Sequence, residues 1–332
     1  MPAILEQTIT ATAPQKTSAR TTLRRHPTNG QLVSPFAPGP SHTDDAVTPA
    51  TIINATQLRT LDLRYNAQDR ILWCQFRFSG RPCFSEAMLE DFAAVRQMLH
   101  RIFAVAKEEI PVRIVALTSP LPGVWNLGGD LDLFVRLIRE RNRDRLLAYA
   151  RAATESGYHY TTSFGLPLLT VSVVQGDALG GGFEAALSSN VIIAERGAKF
   201  GLPEVLFNLF PGMGAYSFLG RRVAPGFAER MILSGSVYTA EQLYDMGVVD
   251  HLAEEGAGVA ALYDLFERGP SRLNTWRAVI EARRIVQPVH LEELHAIARV
   301  WTDLALELTD ADLRRMVRLV GAQDKRLARI DA

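Results

Sequence analysis

The stretch Gly176-Asp177-Ala178-Leu179-Gly180-Gly181-Gly182-Phe183-Glu184 lies between an apolar run, Leu168–Val174, and a segment of helical spacing that opens near Phe183. Three glycines in a row let the backbone turn sharply and point its N–H groups outward. A strand that turns at once into a helix is half of a βαβ unit, and the same grammar recurs around it. Val112–Leu117, bounded by Pro111 and Pro120, reads as a strand, Asp130–Ala153 as a helix and Asn190–Ala194 as the next strand. Alternation of this kind predicts a parallel sheet and an α/β fold. Upstream, Leu58–Arg64 and Ile71–Phe78 read as a hairpin around Asn66–Asp69. Phe84–Ala104 follows as a helix, with Met88, Leu89, Phe92, Val95, Met98 and Leu99 on one stripe. Beyond about Pro203 the pattern turns mostly helical: 215–219, 224–233, 240–246, 258–266, 271–285 and 291–308. Thr309 then reads as the N-cap of a last helix from Asp310.

Composition narrows the class. Lys plus Arg number 36 and Asp plus Glu number 36, so nothing in the net charge draws the chain to nucleic acid or an anionic membrane. The longest apolar candidate, Leu166–Val174, is strand-length, which predicts no membrane span. Two cysteines, Cys74 and Cys83, are too few for a disulfide framework and fit a reducing cytoplasm. Residues 1–50 hold seven of the 17 prolines and many Ser and Thr, and are expected to be a disordered tail, with structure beginning near Thr51. The N-terminus lacks the apolar h-region of a secretory signal. Arg20, Arg24 and Arg25, with Glu6 the only acid before Asp44, leave an organellar transit peptide as an alternative. The remainder divides into a core over 51–235 that carries the site and a helical region over 236–332.

Three segments carry chemistry. The glycine run presents N–H donors at a helix N-terminus, suited to a developing oxyanion or a phosphate. It lacks the Lys and Ser/Thr of a phosphate-binding P-loop. Leu127-Gly128-Gly129-Asp130 also follows a strand and opens a helix, so it offers a second donor. Gly201-Leu202-Pro203-Glu204, followed by Pro211-Gly212-Met213-Gly214, places a second glutamate one strand beyond Glu184. Ends of adjacent parallel strands share a rim, so Glu184 and Glu204 are expected to face one cavity. Two carboxylates in an apolar site form an acid/base couple, because burial and mutual repulsion push one proton affinity upward.

Taken together, these segments resemble the crotonase (enoyl-CoA hydratase/isomerase) superfamily over about Leu58–Gln323. The resemblance implies a ββα spiral core of the ClpP/crotonase type with a helical C-terminal trimerisation region. It places oxyanion-hole donors on Gly129 and Gly181 and catalytic glutamates on Glu184 and Glu204. Longer stretches, Asn126–Phe134, Gln175–Leu187 and Gly201–Phe218, resemble the diffusible-signal-factor synthases. These enzymes dehydrate a β-hydroxyacyl chain on acyl carrier protein to a cis-2-enoyl thioester and hydrolyse it to a free fatty acid signal. Ser188-Ser189-Asn190, where relatives often carry Cys, and the long N-terminal tail depart from that pattern.

The same resemblance makes Met213, Trp301 and Leu319 candidate walls of an acyl pocket. It implies an acyl carrier protein or coenzyme A thioester as substrate and a homotrimer or hexamer; a sensor kinase is a further candidate partner, named with the reading of a binding protein on this scaffold. Arg136, Arg139, Arg141, Arg143 and Arg145 read either as a solvated face or as a docking patch for an acidic carrier. The seven histidines form no ligand pattern, so no metal and no cofactor is expected. Two rivals stay open: an enoyl-CoA hydratase of fatty-acid degradation, and a non-catalytic binding protein on the same scaffold.

Overall fold

The computed structural model describes residues 48–106, 110–267 and 270–328, so all but the last three residues of the expected tail lie outside it. Helix α1 (Pro49–Ala55) begins inside the stretch assigned to that tail. The Thr48 side chain caps Thr51 N, and the Thr51 side chain returns a bond to Thr48 N.

The hairpin forms as expected, with β1 (Leu61–Asn66) antiparallel to β2 (Ile71–Phe76). Its turn is held by Asn66 Oδ1, which accepts from Gln68 N and Asp69 N. After α2 (Glu86–Val105), the chain repeats one journey. It runs through a strand of a large sheet, then a short strand of a small sheet, then a helix or helical turn. The first pass is β3 (Ile114–Thr118), β4 (Gly123–Asn126), then α3 (Leu131–Arg139) and α4 (Arg143–Thr161). The second is β5 (Leu169–Val174), β6 (Gly176–Leu179) and α5 (Gly181–Ser188). The third is β7 (Val191–Glu195), β8 (Lys199–Gly201) and a 3-10 turn, Pro203–Phe207.

α6 (Ala215–Leu219) and α7 (Pro225–Ser234) follow. β9 (Val237–Thr239), α8 (Ala240–Asp245) and β10 (His251–Ala253) then complete the sheets beyond residue 235. The large sheet has the order β1-β2-β3-β5-β7-β10 and the small one β4-β6-β8-β9. All neighbours are parallel except β1–β2 and β8–β9. The fold is thus α/β, a ββα spiral, with a helical C-terminal region of α9 (Gly258–Glu267), α10 (Pro270–Val286), α11 (Leu291–Ala305) and α12 (Asp310–Leu327).

Two local differences from the sequence reading have clear causes. The helix expected over 130–153 is two helices. Arg141 takes a left-handed φ of 51°, and Asn142 caps α4 by accepting from Arg145 N. The glycine turns do not leave the long strands directly, because β4, β6 and β8 intervene. A Cβ on Gly176 would lie 2.3 Å from Gly123 C, so glycine is what lets β6 approach β4. At the far end, Thr309 does cap α12, with Thr309 N and Oγ1 donating to Asp312 Oδ2 at 3.0 and 2.6 Å.

Candidate active site

The three small-sheet strands β4, β6 and β8 end on one rim, and each is followed by one of the three chemistry-bearing segments. At the end of β4, Asn126 Oδ1 accepts from Gly128 N at 2.8 Å, and Gly128 O accepts from Phe84 N at 2.7 Å. Gly128 has a φ of 103°, which a side chain would resist. Its neighbour Gly129 is left with an N–H that no acceptor takes among the described residues.

At the end of β6, Gly180 has a φ of 53° and donates to Gly201 O at 2.8 Å. Gly181 opens α5 as its first residue, with its N–H outside the helical ladder. The two turns abut: a Cβ on Gly181 would lie 3.3 Å from Gly129 N, and one on Gly128 would lie 3.1 Å from Gly181 N. Two unengaged amides are therefore brought side by side.

Glu184 lies one turn into α5 and is 1% exposed. Its Oε1 accepts from Met213 N at 2.7 Å and Ala215 N at 2.9 Å. Burial pushes its carboxyl up to about 7, although the N–H groups of Ala215, Met213 and Gly214 pull the other way. Glu204 lies in the 3-10 turn after β8, with Oε1 against Gly180: a Cβ on Gly180 would lie 2.6 Å from it. Glu204 as a residue is half-buried, but its Oε2 is sealed from solvent without a hydrogen-bond partner among the described residues. Burial, then the charge of Glu184, holds the Glu204 carboxyl well above its ordinary value. The two glutamates thus differ in environment: one is fixed by amides, while the other is desolvated and beside a like charge.

Gly129, Gly181, Glu184, Glu204, Met213, Trp301 and Leu319 all line one cleft of about 570 Å³. The structure adds residues to which sequence reasoning gave no role. Phe134 stands edge-on to Tyr149 and Trp301, at centroid distances of 4.9 and 5.1 Å, and backs the Gly129 turn. Tyr149 donates to Phe84 O at 2.5 Å and accepts from Asp130 N at 3.4 Å, so it braces the same loop. Gln323 lines the cleft from α12. Phe134 sat inside a motif already singled out, whereas Tyr149 and Gln323 lie mid-helix without a local signal.

Met213 borders a second cavity of about 370 Å³, lined mainly by Phe84, Leu89, Phe92 and Tyr160, and Glu184 lines that one too. Arg143 pairs with Asp303 and Arg145 with Glu86, which leaves the exposed Arg136, Arg139 and Arg141.

The family model described as enoyl-CoA hydratase/isomerase matches residues 86–261. The 2,3-dehydroadipyl-CoA hydratase of Escherichia coli (strain K12) is 32% identical over 51% of this chain and 60% of its own length. The mitochondrial methylglutaconyl-CoA hydratase of Mus musculus is 27% identical over 56% and 55%. The chain spans about half the length of the curated relatives it matches. Among solved structures, an enoyl-CoA hydratase from Bacillus halodurans superposes with a TM-score of 0.65 at 18% identity, covering 78% of this chain and 100% of that one. DspI from Pseudomonas aeruginosa superposes with a TM-score of 0.55 at 23% identity, covering 69% and 89%. Both likenesses concern the fold.

Proposed function

Because the chain belongs to the enoyl-CoA hydratase/isomerase family, we propose that its cleft dehydrates a β-hydroxyacyl thioester on acyl carrier protein. The product is a cis-2-enoyl thioester, which the same site then hydrolyses to the free acid. The observation that carries the reading is the pairing of two buried carboxylates of unequal proton affinity with two unengaged amides in one cleft.

In this reading the thioester oxygen lies between Gly129 N and Gly181 N, and each such donor is worth about 3–4 kcal/mol of transition-state stabilisation. The pair carries one proton throughout. In the dehydration direction Glu204 takes the α-proton as the enolate forms. Glu184, protonated, gives its proton to the β-hydroxyl, which departs as water. A Glu184 carboxyl near 7 makes that protonated form accessible at neutral pH. Addition of water runs the same steps backwards, from the state with the proton on Glu204. For hydrolysis, water deprotonated by the pair attacks the carbonyl, the C–S bond breaks, and the carrier thiol leaves with the proton. Met213, Trp301, Leu319 and Phe134 supply the apolar wall for the acyl chain. Exposed Arg136 and Arg139 on the outer side of α3, whose inner side gives Leu131 and Phe134 to the cleft, suit an acidic carrier. Assembly into a homotrimer is part of the same proposal.

The names of the curated relatives favour a second reading, reversible hydration of 2-enoyl-coenzyme A without release of free acid. Incubating the protein with matched β-hydroxyacyl chains on acyl carrier protein and on coenzyme A, with mass spectrometry of all products, separates the two. Free cis-2-enoic acid from the carrier-protein substrate supports the synthase reading. Water addition to the coenzyme A thioester alone would replace it with the hydratase reading.

A further inference from the structure

A second cleft, of about 740 Å³, opens at the other end of α5, where Leu187 and Ser189 form part of its wall. Four arginines line it: Arg221 and Arg222 after α6, and Arg283 and Arg284 near the end of α10. Three of them are answered. Arg221 forms a two-pronged pair with Glu293 at 2.9 Å on both prongs. Arg222 meets Asp250 at 3.1 Å and also donates to Ser189 O and Val248 O. Arg284 meets Glu281 at 3.2 Å and donates to Thr161 O and Ser163.

Arg283 is different. Its one hydrogen bond among the described residues runs from Nη2 to Asn190 O at 3.0 Å, and no carboxylate pairs with it. It is partly buried, and burial together with the neighbouring Arg222 charge lowers its guanidinium to about 10, Asp250 opposing. Among the described residues no acid lines the cleft, and the acids that pair with the other three arginines, Glu293, Asp250 and Glu281, are each committed there. The cleft therefore holds an uncompensated cation in a confined site. A buried charge without a partner is costly, and a bound anion removes that cost.

We propose that this cleft is a second small-molecule site, taking a phosphate-bearing ligand whose phosphate is gripped by Arg283 with Arg222 behind it. The planar fork of Arg283 keeps four N–H vectors to offer, which matches the several acceptor oxygens of a phosphate better than a lone carboxylate. The volume exceeds what a bare phosphate fills, and Leu187, Phe218 and Val289 give the remainder of such a ligand an apolar wall. This site shares no lining residue with the cleft that holds Glu184 and Glu204, so it stands independently of the reaction proposed there.

The test is a titration of the full chain with inorganic pyrophosphate and with ADP, followed by calorimetry and thermal unfolding. At ten times its Kd, pyrophosphate should raise Tm by about 2 °C. Arg283→Gln should weaken binding about tenfold or more, Arg283→Lys should weaken it less, and Arg299→Gln, on exposed α11 surface, should leave it unchanged. If Arg283→Gln does not fold, the charge-keeping Lys variant carries the comparison through its loss of the fork. Tighter binding of ADP than of pyrophosphate assigns the apolar wall to a nucleoside, and equal binding assigns recognition to the phosphates alone. Absence of binding by both probes, or binding that neither Arg283 variant weakens, overturns the proposal.

Discussion

A carboxyl that is fully buried and held near 7 costs the folded state something, and the cost depends on pH in a calculable way. Glu184 rises from 4.5 to about 7 on folding. Between those values the folded chain keeps a proton that the unfolded chain has released, so stability falls as pH rises. Below 4.5 both states are protonated at this site and the loss is absent; above about 7 it is complete. Its size follows from the rise, about 3 kcal/mol. Glu184→Gln removes the titration while its Oε1 still accepts from Met213 N and Ala215 N. The difference in unfolding free energy between Gln and Glu should therefore drift by at least about 3 kcal/mol in favour of Gln from pH 4.5 to pH 8, because loss of the Glu184 charge also lessens the upward push on Glu204. Any constant cost of seating the amide cancels from that drift. Urea unfolding of both proteins across the pH range measures it. Parallel curves would show that Glu184 titrates alike in both states, and would remove the basis for treating it as a high-affinity proton site.

Glu204→Gln should lower the rate on a thioester substrate by about 10²-fold or more with an unchanged circular dichroism spectrum, because the α-proton acceptor is lost. Single-turnover assays check this, and near-native turnover would exclude Glu204 from the chemistry. Met213→Ala should join the cleft to the neighbouring apolar cavity and shift preference toward longer or branched chains. At about 0.8 kcal/mol per methylene buried, the shift is about fourfold in relative kcat/KM per carbon gained, read from competing β-hydroxyacyl carrier proteins. An unchanged chain-length profile with intact turnover would place Met213 outside the acyl path. Removing residues 1–47 should leave activity and Tm nearly unchanged, since the cut spares the Thr48 cap of α1; a drop of several degrees would show that this segment packs on the core.

The parts of the fold legible in the sequence were those set by local chemistry. The hairpin around Asn66 is written in an Asx turn, the start of the last helix in Thr309, and β5 in a mainly apolar run that only Thr170 and Ser172 interrupt. The small sheet was not legible, because β8 and β9 have three residues each and β4 and β6 only four, too short for a period to appear. Yet those strands determine the site, since they bring the Gly129, Gly181 and Glu204 turns to one rim. The sequence marked the turns because glycine is needed where backbones nearly touch; a Cβ on Gly182 would lie 2.2 Å from Asn126 O. The second glutamate was found by its distance along the chain, one ββα unit after the first. Its unequal proton affinity could not be found that way. That depends on which carboxylate the Met213–Ala215 amides reach, and those amides arrive from a segment 29 to 31 residues beyond Glu184. The same limit hid Tyr149 and Arg283, whose settings exist only once α4 and α10 are docked. A pair of glutamates can be read from a chain, but which of them holds the proton is a property of the packing around them.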